Sequence, residues 1–173
     1  MKTRAVIRTD DNQTPTRDVR LRSRLALAVA TVGGVGYAPF APGTFGSAAG
    51  LLVWWLLGPS AIVQGIAIAA ILGAGVWSAG VCERHCGRTD PGHVVVDEVV
   101  GMLITLFLIP VGWAGVFGAF LLFRLADVIK PYPANRFESL HGGLGVMADD
   151  CMAGVYANLA LRILLALGNR VIG

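Results

Sequence analysis

Apolar positions run through this chain in long blocks, with polar and chain-breaking residues collected between them. From position 20 the chain turns apolar, and a helix is expected to about 33. The stretch GGVGYAPFAPGTFGS follows, with Gly33, Gly34, Gly36, Pro39, Pro42, Gly43 and Gly46, which break any regular helix. A short helix is expected over 44–57, and Gly58-Pro59-Ser60 turns the chain. Residues 61–82 read as the clearest span, about 33 Å long at 1.5 Å per residue. The polar segment ERHCGRTDPGH comes next, then a short helix over 97–108, a tight turn at 110–113 and a returning helix over 113–130. Pro131 and Pro133 stop it, a loop passes through His141-Gly142-Gly143, and a last helix is expected from 149 to about 167. Several of these helices are too short to cross about 30 Å of hydrocarbon upright. No internal repeat is visible.

Composition decides what kind of helical protein this is. Hydrophobic residues make up 55% of the 173 positions and charged residues only 14%, against about a quarter in soluble domains. No charged residue occurs in 25–82 or in 99–123. Such runs exceed the roughly 20 apolar residues of one span. The expected fold is therefore an all-α, polytopic membrane helical bundle of about four to five spanning or partly spanning helices, rather than a soluble helical protein with a large core. The net charge of +3 is concentrated in residues 1–24, where Lys2, Arg4, Arg8, Arg17, Arg20, Arg22 and Arg24 face three aspartates. This tail reads as a disordered or interfacial segment on anionic lipid, preceding a helical domain over 25–173. Nucleic acid is not expected, because no aromatic residues interleave with the arginines. The apolar run after the tail continues through the chain, so it is not read as a cleaved signal peptide. Cys82, Cys86 and Cys151 form no even framework and read as free thiols.

The topology brings the scarce charges together. With the basic tail cytoplasmic, the loops at 83–96 and 131–148 share its side and carry Arg84, Arg88, Lys130 and Arg136; the turns at 58–60 and 110–113 carry none. Arg162 and Arg170 fall on the far side. Asp97-Glu98 opens a helix leaving the cytoplasmic end, Arg124, Asp127 and Lys130 close one arriving there, and Asp149-Asp150 opens another. Ionisable groups in membrane-embedded segments are costly and mark functional sites. Clustered carboxylates repel unless a cation sits among them, and oxygen ligands favour Mg²⁺ or Mn²⁺. Arg124 and Lys130, with His141, suit a phosphate group, and Pro42, Gly43, Thr44, Gly46 and Ser47 could add amides and hydroxyls at a helix N-terminus. Metal, phosphate and membrane together suggest phosphoryl chemistry on a lipid headgroup. Each piece also has a plainer reading: the acidic pairs as helix N-caps, Arg124 and Asp127 as a structural ion pair, and the Gly-Pro stretch as a kinked hairpin. The Cys82-to-Arg88 spacing matches that of cysteine phosphatases, but Glu83 would repel the anion and Cys82 ends an apolar helix.

Three ordered segments, GYAPFAPGTFGS, VVVDEVVGMLITLFLIP and FRLADVIKPYPANRFESLHGGLGVMADDCMAG, resemble the phosphatidylglycerophosphatase A family over about residues 33–157. The resemblance implies helices gathered round a central one. It also implies a Mg²⁺-dependent inner-membrane enzyme that converts phosphatidylglycerophosphate to phosphatidylglycerol. By position, the family's motifs fall on Asp97 and Glu98; on Arg124, Asp127 and Lys130; on His141; and on Asp149 and Asp150. The glycine-proline motif falls on Pro39, Pro42, Gly43, Thr44, Gly46 and Ser47. The expected metal ligands are Asp97, Glu98, Asp149 and Asp150, with Asp127 a ligand or an orienter of Arg124. His141 is a candidate proton donor. Water and an aspartate both remain open as the attacking group. A transporter and a noncatalytic lipid-binding bundle are the competing classes.

Overall fold

The computed structural model describes residues 17–87, 91–130, 132 and 142–172. His141, Arg88, Arg136 and the tail before residue 17 lie outside them. The described residues form six α-helices and no strand: α1 (Arg17–Ala30), α2 (Pro42–Leu57), α3 (Ala61–Cys86), α4 (Val96–Leu106), α5 (Trp113–Ile129) and α6 (Gly143–Ile172), with a single 3₁₀ turn at Val35–Tyr37.

The short helix α4 is the centre. Every residue of it except Glu98 and Ile104 is buried, and it packs against α2, α3, α5 and α6, while α1 lies along α3. The helix gathered at the centre of the bundle, implied by the family resemblance, is α4. One apolar cluster joins α4, α5 and α6 through Met102, Leu106, Phe123, Ala153 and Leu161. A second joins α1, α3, α4 and α6 through Ala30, Ala79, Val96, Val100 and Met147.

The helices approach closely because glycines face one another. A Cβ on Gly154 of α6 would lie 2.5 Å from the Gly101 carbonyl oxygen of α4. One on Gly50 of α2 would lie 2.8 Å from the Met102 Cβ, and one on Gly46 would lie 2.9 Å from the Val95 Cβ. Small residues at such crossings let membrane helices pack backbone to backbone, where burial of apolar surface supplies little driving force. The same rule corrects one boundary. The last helix begins at Gly143, not at 149, and Gly143 packs so closely on α3 that a Cβ there would collide with the Val76 backbone. Gly143 is therefore a helical contact residue and Gly145 is helical too, and Asp149-Asp150 lies in the second turn instead of capping the helix. Similarly, the glycine-proline break is shorter than its composition suggests. Pro42 starts α2, as suits a residue with no amide hydrogen at a first helical position, so Gly43 and Gly46 are helical.

The outside of the bundle is apolar. Along α5, Trp113, Phe117, Leu121 and Leu125 recur every fourth residue and are 51–77% exposed; Val155, Leu159 and Ile163 repeat the pattern on α6. Continuous exposed stripes of this kind are not sustained in water. Two helices, Ala61–Cys86 and Gly143–Gly168, are long and apolar enough to cross a bilayer. At 16, 17 and 11 residues, α2, α5 and α4 reach only about 24, 26 and 17 Å. This is a membrane protein, not a soluble one with a large core.

Ending α4 inside the bundle strands its last carbonyls. Asn158 Nδ2 donates to the oxygens of Ile104, Thr105 and Phe107 at 3.0 Å each. Arg162 reaches those of Phe107 and Leu108 at 3.2 and 3.1 Å and is held by Asn158 Oδ1. Arg162, the charge that departed from the loop asymmetry, thus serves a helix terminus that hydrocarbon could not satisfy.

Candidate active site

Antiparallel connectivity puts the N-termini of α2, α4 and α6 and the C-termini of α1, α3 and α5 at one end. Asp97 and Glu98 occupy the first turn of α4, where no side chain caps the helix. Asp150 comes from α6, and one carboxylate oxygen of each of Asp97, Glu98 and Asp150 lies within 4.8 Å of the others. Asp97 and Asp150 are 7% and 4% exposed. At that separation two full charges repel by roughly 3 kcal/mol at an effective dielectric of 20, so this set of buried and half-buried carboxylates needs a positive partner. Asp127 of α5 adds a fourth carboxyl close to Glu98 and Asp150.

Among the described residues, Arg124 and Lys130 are both already engaged. Arg124 Nη1 lies 2.8 Å from Asp127 Oδ2 and donates to the Ser47 hydroxyl at 3.4 Å. Lys130 Nζ lies 2.8 Å from Asp149 Oδ2. Glu98 Oε2 is buried and has no hydrogen-bond partner. Glu98 sits on a helix too short to span. Burial raises its carboxyl above the ordinary range and Asp127 adds to the rise, against the opposing pull of Asp97's hydrogen bond and of Arg124. An orphaned carboxylate oxygen within a set of oxygen donors fits a hard divalent cation.

The sequence treated Asp149 and Asp150 alike, and the structure separates them. Asp150 joins Asp97 and Glu98, whereas Asp149 accepts from Lys130 and from the Asp150 amide, at 3.0 Å for the latter. Of the glycine-proline segment, Gly43 and Ser47 reach the site. Ser47 donates to the Gly43 carbonyl at 2.8 Å, and a Cβ on Gly43 would meet Glu98 Oε1 and lie 3.1 Å from Arg124 Nη1. Pro42, Thr44 and Gly46 build the first turns of α2, with Gly46 seated on Val95 and Glu98. The start of α2 thus points its positive dipole end at the carboxylates and the guanidinium.

The family model of phosphatidylglycerophosphatase A matches residues 28–165. The chain belongs to the phosphatidylglycerophosphatase A family. Proteins named phosphatidylglycerophosphatase A from Escherichia coli and Haemophilus influenzae are 37% and 38% identical to it. They match over 70% and 68% of this chain and 73% and 74% of their own lengths. A protein of Bacteroides thetaiotaomicron, carrying the provisional name phosphatidylinositol-3-phosphatase, is 40% identical over 87% of this chain and 98% of its own length. No solved structure matches the chain.

Two features of the site escaped the sequence reading. Gly101 and Gly154 each follow a site carboxylate by four residues, in Asp97-Glu98-Val-Val-Gly101 and Asp150-Cys-Met-Ala-Gly154, and the helices cross at those glycines. That repeated spacing was the available signal. The other is His93, whose ring stacks on Tyr37 at 5.6 Å and pins the loop before α2 to the loop before α4. The cavity of about 730 Å³ lined by Trp54, Gln64, Pro110 and Val111 lies at the opposite end of the bundle, away from this chemistry.

Gly43 offers a clean test of the packing around the ligands. Gly43→Ala pushes flexible side-chain ends, not backbone, so the fold should survive while Glu98 and Arg124 are displaced. Phosphatase activity is expected to fall about a hundredfold with little change in the thermal midpoint. Full activity in this variant would show that the close approach of α2 has no part in the reaction.

Proposed function

We propose that this enzyme removes the terminal phosphate of phosphatidylglycerophosphate at the cytoplasmic face of the inner membrane, with Mg²⁺ held by Asp97, Glu98 and Asp150. The reading is carried by the buried, unpartnered Glu98 Oε2 between the buried carboxylates of Asp97 and Asp150, beside Arg124 and the first turn of α2. The positions of Arg20, Arg22, Arg24, Arg84 and Lys130 at that end, with no charge in the turns at 58–60 and 110–113, support its cytoplasmic placement.

A phosphomonoester presented from the bilayer brings two negative charges to this end. Asp97, Glu98 and Asp150 would hold Mg²⁺, which when bound would neutralise part of the phosphate charge. Arg124, oriented by Asp127 and Ser47, donates in parallel to two phosphoryl oxygens and strengthens as charge develops on them. Lys130, steadied by Asp149, adds a second cation at the mouth. Amides in the first turn of α2 complete an anion cradle. The phosphorus–oxygen bond to glycerol breaks, the leaving alkoxide takes up a proton, and inorganic phosphate departs after water has added to phosphorus, directly or through an aspartyl phosphate. The acyl chains would lie along the apolar outer stripes of α5 and α6.

The Bacteroides relative favours a second substrate of the same chemical class, the 3-phosphate of a phosphatidylinositol. Phosphate release in detergent from phosphatidylglycerophosphate, phosphatidylinositol 3-phosphate and phosphatidate separates the readings. Release is expected to be fastest from phosphatidylglycerophosphate, to drop to background with a chelator and to return with added Mg²⁺. Preference for the inositol lipid would reassign the substrate while leaving the site in place. Chelator-resistant release would remove the metal from the mechanism.

A further inference from the structure

The N-terminal part of α1 lies outside the family match and takes no part in the carboxylate site. Together with the last two turns of α3 it encloses a cavity of about 320 Å³. Arg20 and Arg24, one helical turn apart, line it together with Ser23 and His85. Leu27 and the buried Cys82 give it an apolar wall. Immediately beside the arginines on α1, Leu21 and Leu25 are 56% and 53% exposed and also one turn apart. A basic stripe next to an exposed apolar stripe is the pattern of a helix lying in the headgroup region of a bilayer. The cavity opens at the end of the bundle that holds the carboxylates, because α3 delivers the chain from there into α4.

We propose that this cavity is a separate binding site for an anionic membrane phospholipid, with the phosphodiester between Arg20, Arg24 and Ser23 and the glycerol backbone against Leu27 and Cys82. Paired guanidinia match a phosphate better than a carboxylate-rich or neutral surface would. The apolar wall and the exposed leucines select a lipid over free phosphate, which would leave them without a partner. The site needs only the membrane placement of the chain, so its failure is distinct from failure of the proposed reaction.

The test is lipid binding by the purified full-length chain in neutral detergent, followed by native mass spectrometry and scored separately from phosphate release. Phosphatidylserine serves as the anionic probe, since it carries the phosphodiester but is not a product of the reaction; phosphatidylcholine of the same chain length is the control. One phosphatidylserine should bind in preference to phosphatidylcholine. Arg20 is also engaged within the chain, so Arg24 is the better substitution. Arg24→Gln should weaken binding about fivefold, the share of one charge at an anionic surface, and Arg24→Lys should retain most of it. In the wild type, hydrogen exchange should slow in residues 20–27 and 81–86 with phosphatidylserine and not with phosphatidylcholine. Equal binding of both lipids, unchanged binding by Arg24→Gln, or the same protection from millimolar inorganic phosphate would each overturn the proposal.

Discussion

Asp150→Asn is expected to lower the turnover number by about a thousandfold, while Asp149→Asn costs only about tenfold. The two residues are adjacent and chemically identical, yet they face different partners. Asp150 is nearly enclosed and points into the cluster with Asp97 and Glu98, where an amide nitrogen would replace an oxygen needed by a cation. Asp149 spends its carboxylate on Lys130, which an amide oxygen can still accept from, more weakly. The Mg²⁺ dependence gives the sharper readout. Half-saturation should move to higher Mg²⁺ in Asp150→Asn and stay put in Asp149→Asn. Stability should move the other way from activity: without metal, the buried Asp150 carboxylate stands within 4.8 Å of those of Asp97 and Glu98, so the neutral amide should leave the thermal midpoint unchanged or raise it. Equal losses and equal Mg²⁺ shifts in the two variants would mean that Asp149, too, belongs to the metal set.

That distinction shows where sequence reasoning ran short. The order of helices, the apolar exterior and the convergence of Asp97, Glu98, Arg124, Asp127, Lys130 and the final acidic pair at one end all follow from charge spacing and connectivity. The phase of α6 does not. Reading Gly142-Gly143 as a loop is sound for a soluble chain, where glycine weakens helices; in this bundle Gly143 is a contact point against α3, which moves the helix start six residues upstream. The rotation that assigns Asp150 to the cluster and Asp149 to Lys130 depends on how α6 packs, and no local pattern encodes it. The glycines of α2 carried the same ambiguity. Composition marked residues 33–46 as a break, and 33–41 is one, but Gly43, Gly46 and Gly50 form the flat side of a helix pressed on α4. His141 lies outside the described residues, and its expected role as a proton donor stays with the sequence.

Gly154→Leu should be among the most damaging single changes outside the charged cluster. Its Cβ would lie 2.5 Å from the Gly101 oxygen and 3.1 Å from the Gly101 Cα, and these are backbone atoms of the central helix, which cannot rotate away. Gly101 has no room to retreat, since a Cβ there would already press on Phe123 and lie 2.8 Å from the Asp150 oxygen. Separating α4 from α6 also loosens Thr105, whose hydroxyl donates to the Gly101 carbonyl at 2.8 Å and lies 3.5 Å from that of Gly154. Overpacking of this kind costs about 3 kcal/mol, or roughly a 10 °C drop in thermal midpoint for a chain of this size. Gly118→Leu provides the control, because nothing lies within 4 Å of a Cβ on that face of α5. Activity should fall in Gly154→Leu even at temperatures where the protein remains folded. Gly101 and Gly154 each stand one turn beyond a site carboxylate, so the crossing that they permit sets the distance between Asp97 and Asp150. A Gly154→Leu protein with wild-type melting and wild-type turnover would show that the carboxylates are brought together by something other than this contact.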